Sequence, residues 1–404
     1  MEHGELIVIV YADNIAQPVK GALVEIIGEG TYVKTNTNEN GAIEGVVLKA
    51  PAKKYCFTED AKESPCAKYI VKVSKIGMIN AVIKNVEIYE SIISYQDVFL
   101  KALTAEEKED IINIEANTLS KKSDPKLQEE AIKSEGKYNI KTSVIVPEYI
   151  TVHNGIPTNS NVANYYIPFI SYIKNVVSSN IYPIWEEEAI KANAYIIVSS
   201  TLSRIYTEWY KLKGYPFTVT DSTIYDVEYV HNRTIFSTIS KMVDEVFNIY
   251  IKVPNTIQPL FAQCINNENK KEQESICRWE SQKLAEQGYK AIDIIKKYYG
   301  EEISLERAET SFDKECKKCL VAENNCIESL KSIQIKLNTV AGSYPAIPKI
   351  GRPDGKFDDR TKRAIEEFQK IFFLKQTGNV DFLTCYNIMH VYEVVKKTLE
   401  SINT

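Results

Sequence analysis

The chain has 404 residues and a mass of 45.9 kDa, which corresponds to two or three domains of ordinary size. Its 49 Lys and Arg residues against 54 Asp and Glu give a net charge of −5, which argues against nucleic acid as a partner. No apolar stretch approaches the roughly 20 residues that a membrane-spanning helix needs, so we expect no transmembrane segment. The acidic start of the chain, Met1–Glu5, shows no classical signal peptide.

Eight cysteines are too few for a disulfide scaffold in a chain of this length. The pairs Cys56/Cys66 and Cys264/Cys277 are each close enough in sequence to form a local disulfide. The group Cys316, Cys319 and Cys326 offers three metal ligands but no fourth nearby, so we favour buried or free thiols there. The four histidines are scattered, and we expect no metal and no cofactor.

Residues 1–103 are rich in Val, Ile and Tyr interleaved with polar residues. Four stretches have this character: Leu6–Tyr11, Ala22–Ile27, Tyr69–Lys75 and Asn80–Tyr89. The turn Asn38-Glu39-Asn40-Gly41 supplies a residue that tolerates positive φ. Short strands at this spacing predict an N-terminal β-sandwich.

Residues 104–143 read as a helical and charged linker. Thr104-Ala105-Glu106-Glu107 matches a capping box, which predicts a helix continuing to about Thr118. The stretch 119–143 is dominated by Lys, Glu, Ser and Asp with little periodicity, as in a solvated connection between domains.

Residues 144–325 mix extended and helical patterns, and residues 326–404 read as three helices. In the first region a long helix follows Tyr182-Pro183-Ile184-Trp185 and begins with three acidic residues, which the helix dipole favours. In the second, Pro353-Asp354-Gly355 forms a turn, Asp359 or Thr361 caps the middle helix, and Asp381 caps the last one.

The C-terminal stretch resembles the common three-helix peptidoglycan-binding domain. That pattern, Asp-Gly-x-Phe-Gly-x-x-Thr-x-x-Ala-Val-x-x-Phe-Gln, is matched from Asp354 to Gln369, with Asp358 in place of the second glycine and Ile365 in place of valine. The resemblance implies peptidoglycan as the partner. The candidate contact residues are Asp354, Phe357, Thr361 and Gln369.

The central region resembles the SpoIID-type lytic transglycosylase domain. The matching residues run from Val176 to Pro183 and from Trp185 to Asn193. Together with the N-terminal β region and the C-terminal domain, the whole chain resembles the spore cortex-lytic enzymes (SleC) of spore-forming anaerobes. The resemblance implies an α+β multidomain protein: an N-terminal β-sandwich, a mixed α/β SpoIID-like central domain, and a C-terminal three-helix peptidoglycan-binding domain.

That resemblance implies cleavage of the muramic acid–glucosamine bond without water, by one carboxyl group that serves first as acid and then as base. The acid protonates the leaving oxygen, and its conjugate base then takes the proton of the 6-hydroxyl, which leaves a 1,6-anhydro sugar end. The family's glutamate is replaced here by Asn180, which has no proton to deliver near neutral pH. The loss of general acid catalysis costs about 10²–10⁴-fold in rate. We therefore expect a weak or inactive member of the family.

Other positions bear on the same cleft. Glu188 is either a replacement acid or a first-turn helix residue, and we favour the structural role. Trp185 and Trp279 either stack on sugar or pack in the core. Asp226 precedes Val227 where the family has Asp-Gln, and Trp279 precedes Glu280 where the family has Trp-Gly, so both neighbourhoods are altered.

Three hypotheses follow for this chain. The first is a cortex-lytic protein of germination, located in the spore cortex or coat region and weakened by Asn180. The second is a non-catalytic peptidoglycan-binding or regulatory pseudoenzyme. The third is a zymogen-like regulator in which residues 1–143 mask the cleft until an activating protease cuts near residues 119–143.

Overall fold

The computed structural model describes residues 2–58, 63–103, 109–117, 119, 142–265, 275–320 and 327–402. Within these residues the protein is a mixed α+β structure with several sheets. No described helix is long and apolar enough to cross a membrane.

The N-terminal region forms two facing β-sheets. Its strands are β1 Glu2–Ala12, β2 Leu23–Gly28, β3 Thr31–Asn36, β4 Val46–Ala50, β5 Ala67–Ser74, β6 Asn80–Ile88, β7 Ile93–Leu100 and β8 Glu109–Asn113. One sheet has the order β3-β2-β5-β6-β8, and the other contains β7, β1 and β4. The alternation of apolar and polar residues places one face of each sheet inward, where Leu6, Val8, Val24 and Val71 are buried in one cluster.

The helix predicted from Thr104 to Thr118 is wrong where the structure describes it. Residues Glu109–Asn113 form strand β8, which runs parallel to β6 and pairs Asn80 with Glu109. Residues 104–108 and Thr118, which held the capping box and the end of the predicted helix, lie outside the described residues. The free edge of β6 satisfies the backbone amides and carbonyls of 109–113, a long-range partner that a local helix signal does not reveal.

The central region packs helices against small sheets. Its helices are α1 Phe169–Asn180, α2 Glu187–Tyr206, α3 Ser237–Val246, α4 Arg278–Glu286, α5 Ala291–Tyr299 and α6 Asp313–Leu320. Its strands are β9 Ile145–Val146, β10 Tyr149–His153, β11 Asn164–Pro168, β12 Val219–Thr220, β13 Ile235–Phe236, β14 Ile249–Lys252, β15 Gln263–Ile265, β16 Ser275–Cys277, β17 Ser304–Arg307 and β18 Glu309–Thr310. Helix α2 is buried over most of its length, and α1, α3, α4 and α5 pack against it.

The N-terminal and central regions share a sheet and a core. Strand β13 pairs antiparallel with β7, placing Ile235 opposite Tyr95. Next to this strand, Arg233 donates to the Glu87 carboxylate at 2.7 Å, and both side chains are almost fully buried. A single apolar cluster contains Cys56 and Tyr89 from the N-terminal region beside residues of the central helices.

The C-terminal region contains the three predicted helices: α7 Ile327–Ser343, α8 Asp359–Ile371 and α9 Phe382–Ile402. A disulfide joins Cys316 of α6 to Cys385 of α9 across 69 residues of chain. Cys316 is therefore not available as a metal ligand, and Cys326 lies outside the described residues. Cys56 and Cys66 are buried free thiols, so the local disulfide that their spacing allowed is not formed. The side chains of Cys264, Cys277 and Cys319 lie outside the described structure.

Candidate functional site

Asn180 is the position where the resemblance to the cortex-lytic enzymes implies a catalytic glutamate. In the structure it ends helix α1 and is fully buried. Its Nδ2 donates to the carbonyl of Val176 at 2.7 Å and to the carbonyl of Glu228 at 3.1 Å. The amide thus closes the last turn of the helix and holds the loop that carries Glu228. An ionised carboxylate has no proton to donate, so it could not form these two hydrogen bonds to carbonyl oxygens.

Glu188 lies in the first turn of α2 and connects this helix to α5. Its Oε2 accepts the backbone N–H of Ala291 at 2.8 Å, the first amide of α5, and Lys290 lies 3.9 Å from Oε1. A helix N-terminus leaves such amides without an intrahelical partner, and a carboxylate also complements the dipole there. In the structure, Glu188 caps a neighbouring helix.

Trp185 and Trp279 pack against each other in the core. Their ring centroids are 5.0 Å apart, and their exposed fractions are 3% and 5%. The Trp185 indole N–H donates to the carbonyl of Cys56 at 2.9 Å, which bonds the central region to the N-terminal one. Neither ring presents a face to solvent on which a sugar could stack.

Asp226 forms a closed ion pair with Arg204. Arg204 Nε donates to Asp226 Oδ1 at 2.8 Å, and Oδ2 accepts from the backbone N–H and hydroxyl of Thr220 and from the hydroxyl of Tyr210. The side chains of Arg204 and Asp226 are 7% and 4% exposed. Both carboxylate oxygens already accept hydrogen bonds from within the protein. Asp226 therefore stabilises the surrounding structure and does not form an open position for a sugar.

The guanidinium of Arg204 is held between aromatic rings, 4.1 Å from the centroid of Trp209 and 4.2 Å from that of Phe261. A buried cation needs such partners because desolvation is costly. This cluster of Arg204 with Trp209 and Phe261 cannot be recognised from the sequence, because nothing in the local spacing joins Arg204 to residue 261.

The segment around Asn180 is covered by the N-terminal region. Asn117 Nδ2 donates to the carbonyls of Ser178 and Ile181, at 3.1 and 3.2 Å, from the stretch that follows β8. Arg233 also donates to the Ser178 carbonyl, at 3.2 Å. The residues on both sides of Asn180 are thereby bonded to other parts of the chain.

In the C-terminal region, the motif residues Thr361 and Gln369 are fully buried. The Thr361 hydroxyl lies 2.9 Å from Asp358 Oδ1 and accepts from Gln334 Nε2 at 3.0 Å. Asp358 Oδ1 also accepts the Thr361 backbone N–H at 2.9 Å, so Asp358 is the N-cap of α8. The predicted caps, Asp359 and Thr361, are wrong; the residue that departs from the family pattern does the capping.

Gln369 fixes the loop between α8 and α9. Its Oε1 accepts the backbone N–H groups of Thr377 and Gly378, both at 2.9 Å, and its Nε2 donates to the carbonyl of Asn379 at 2.9 Å. Asp381 then caps α9 by accepting the Thr384 N–H at 2.7 Å, as the sequence predicted. Thr361 and Gln369, which were predicted to contact peptidoglycan, are thus buried and stabilise the turn and the loop by internal hydrogen bonds.

The turn before α8 is held by a close backbone approach. Gly355 has φ +76°, and a Cβ there would lie 2.3 Å from the carbonyl oxygen of Ile327. The backbone N–H of Gly355 donates to Gln334 Oε1 at 2.8 Å. Only glycine satisfies both the positive φ and the contact with the start of α7.

The two remaining motif candidates lie on the surface beside this turn. Asp354 is exposed and its Oδ1 accepts the Lys356 N–H at 2.9 Å, while Phe357 is 50% exposed. The stretch 349–363 carries six exposed basic side chains and three acidic ones. The basic residues are Lys349, Arg352, Lys356, Arg360, Lys362 and Arg363. In an acidic chain this local excess of positive charge is visible in the sequence and could have indicated a binding surface here.

The described residues contain no group of three or more His, Cys, Asp or Glu side chains that could hold a metal. The C-terminal site is built from a rigid turn and a capped helix, with exposed basic side chains on both. A surface of this kind suits recognition of a polymer that carries acidic groups.

One family model matches part of the C-terminal region. Residues 328–386 match the family model described as a putative peptidoglycan binding domain. The match covers α7, α8 and the first residues of α9, together with the basic stretch 349–363.

A search of curated proteins found no match. Among solved structures, the 5-hydroxyisourate hydrolase of Klebsiella pneumoniae is 15% identical, with 25% of this chain and 92% of that chain covered and a TM-score of 0.17. The 3-chlorocatechol 1,2-dioxygenase of Rhodococcus opacus 1CP is 12% identical, with 25% and 61% covered and the same TM-score. At that TM-score, neither structure supports a conclusion about fold or activity.

Proposed function

We propose that the chain is a non-cleaving, peptidoglycan-binding protein of the spore cortex, related to the cortex-lytic SleC proteins. The match of residues 328–386 to the peptidoglycan-binding family carries the binding part of this proposal. The exposed basic stretch 349–363, which comprises the turn before α8 and the first residues of that helix, supports it, because the stem peptides of peptidoglycan carry carboxylates.

The absence of cleavage is supported by the arrangement around Asn180. An amide that is fully buried and bonded to two backbone carbonyls has neither the proton nor the access that a general acid needs. Glu188, the candidate replacement acid, is committed to the N-terminus of α5. The role that remains for the central region is to support the wall-binding domain or to compete with an active enzyme for the same glycan.

One observation favours a second candidate function, weak lytic activity. Burial, with the Glu228 and Glu115 carboxylates nearby, raises the pKa of Asp221 to about 6. Asp221 lies on the same loop as Glu228, whose carbonyl accepts the Asn180 amide. A single half-buried carboxyl with such a pKa is suited to alternate between acid and base, so Asp221 is the residue to test for residual cleavage.

The test is to mix the full chain with insoluble cortex peptidoglycan, sediment it, and then analyse the soluble fraction for 1,6-anhydro sugar ends. We expect the protein to sediment with the polymer and no anhydro ends to appear. Failure to sediment would refute the binding proposal. Abundant anhydro ends that disappear in Asp221→Asn would establish the second candidate instead.

A matched pair of variants locates the binding surface. Arg352→Glu with Lys356→Glu reverses two exposed charges in the basic stretch, whereas Lys20→Glu with Lys34→Glu makes the same charge change on the N-terminal region. Only the variant in the basic stretch is expected to lose binding, and the loss should be larger at low salt. Equal loss in both variants would indicate a general charge effect rather than a site.

A further inference from the structure

Two tyrosines form a stacked pair on the outer face of the sheet β11-β10-β12. Tyr166 on β11 lies opposite Thr151 on β10, two residues from Tyr149, so the two tyrosines are diagonal neighbours on one face. Their ring centroids are 4.6 Å apart and the rings are within 9° of parallel. The other face of β10, with Ile150 and Val152, is buried in the core, which fixes the register and therefore the pair.

Helix α9 of the peptidoglycan-binding region supports this pair from one side. The ring of His390 lies 5.6 Å from that of Tyr149, and Lys397 Nζ lies 5.8 Å from the centroid of the same ring. His390 Nδ1 lies 3.5 Å from Glu148 Oε1, next to Tyr149 in sequence, so α9 is tied to the sheet here. Tyr149 is consequently half-buried between α9 and Tyr166.

Tyr166, in contrast, is 70% exposed. An exposed tyrosine is common on protein surfaces, but this one is already held against a second, supported ring. A ring fixed in this way loses little conformational entropy when a ligand covers it, which makes it a good contact for a flat apolar surface. The hydroxyl of the half-buried Thr151, directly opposite Tyr166 on β10, is a polar group at its margin.

A pyranose ring has the complementary chemistry. One face of such a sugar presents C–H bonds that pack on an aromatic ring, while its hydroxyl and acetamido groups bond to polar neighbours. Helix α9 begins within the matched residues 328–386 and continues to His390 and Lys397, so a glycan strand bound by the matched domain would reach this surface by extending along the same helix.

We propose that Tyr149 and Tyr166 form a second contact surface for the glycan strand of peptidoglycan, with a sugar ring stacked on Tyr166. This proposal rests on the proposed function, because it presumes that the chain binds peptidoglycan. It extends the binding surface from the C-terminal helices onto the sheet of the central region.

The experiment compares the full chain with its Tyr166→Ala variant in sedimentation with two polymers. One is intact peptidoglycan, and the other is glycan stripped of its peptides by an amidase. Tyr166→Ala is expected to weaken binding to both polymers about three- to tenfold, while Tyr166→Phe keeps wild-type affinity because the ring remains. The matched control is Tyr32→Ala, since Tyr32 is 59% exposed on β3 of the N-terminal region.

The outcomes separate the two proposals. If the wild-type chain binds neither polymer, the proposed function fails. If the wild type binds and Tyr166→Ala binds equally well, only the stacking proposal is overturned. If the wild type binds intact peptidoglycan but not stripped glycan, or if Tyr32→Ala loses as much affinity as Tyr166→Ala, the assignment of a sugar ring to Tyr166 is likewise refuted. A melting temperature equal to that of the wild type shows that the exposed substitution leaves the fold intact.

Discussion

At the scale of single residues, the sharpest question is what a glutamate would do at position 180. Asn180→Glu places a glutamate where the resemblance to the SleC proteins implies the catalytic acid, but it sets a carboxylate against the carbonyls of Val176 and Glu228 in a fully buried site. The carboxylate and the two carbonyl oxygens are all hydrogen-bond acceptors, so they repel each other, and a buried charge without a partner is costly. We expect the free energy of unfolding to fall by about 3 kcal/mol or more, without any gain of anhydro products.

Urea unfolding followed by circular dichroism measures this loss. The control is Asn154→Glu, which makes the same chemical change at an exposed asparagine and should alter stability by no more than about 0.5 kcal/mol. A stable Asn180→Glu protein that releases anhydro ends from cortex would contradict both the prediction and the proposed absence of an open catalytic cleft.

At the scale of elements, helix α8 depends on its N-cap. Hydrogen bonds from the backbone N–H and the hydroxyl of Thr361 hold the pKa of Asp358 below its usual range, and the charge of Arg360 contributes further. Because the pKa is lower in the folded than in the unfolded state, ionised Asp358 stabilises the fold above the unfolded pKa. That contribution is lost as the pH falls through the folded pKa.

Asp358→Asn tests this sign, because asparagine keeps the capping oxygen and loses the charge. We expect the wild type to melt at a higher temperature than the variant at neutral pH, and the difference to shrink as the pH is lowered toward the folded pKa of Asp358. Calorimetry at several pH values measures it, with Asp359→Asn as the control at the adjacent, exposed position. A difference that is constant with pH would show that the charge is not involved.

The elements also show what sequence reasoning can reach. The three C-terminal helices follow from local signals: the turn at Asp354-Gly355, the cap at Asp381 and apolar residues at helical spacing. Strand β8 was missed because its partner, β6, lies more than 20 residues away, and the capping box gives no information about a free sheet edge. The interactions at the candidate site are of the same long-range kind. The sequence favours a structural role for Glu188 and leaves that of Trp185 open, but it does not show that their partners are Ala291 and Cys56.

At the scale of the whole molecule, the N-terminal and central regions are joined more closely than domains linked by a charged connection would be. Strand β13 pairs with β7 although about 140 residues separate them in sequence, and the Arg233–Glu87 ion pair lies beside that pairing. The hydrogen bond from Trp185 to Cys56 and those from Asn117 cross the same boundary. A cut in the connecting chain would leave all of these interactions in place.

This arrangement bears on regulation by proteolysis. We expect that a chain with an engineered protease site within residues 120–141 remains one particle after cleavage, because the two fragments stay bonded through the shared sheet and core. Size-exclusion chromatography under native conditions measures this, and the fragments should elute together until urea is added.

Arg233→Ala leaves Glu87 buried without its cation, at a cost of about 3–5 kcal/mol, so cut protein with this substitution should separate at lower urea than the cut wild type. Two separate peaks from the cut wild-type chain would mean that cleavage alone exposes the segment around Asn180, and would favour activation by removal of the N-terminal region.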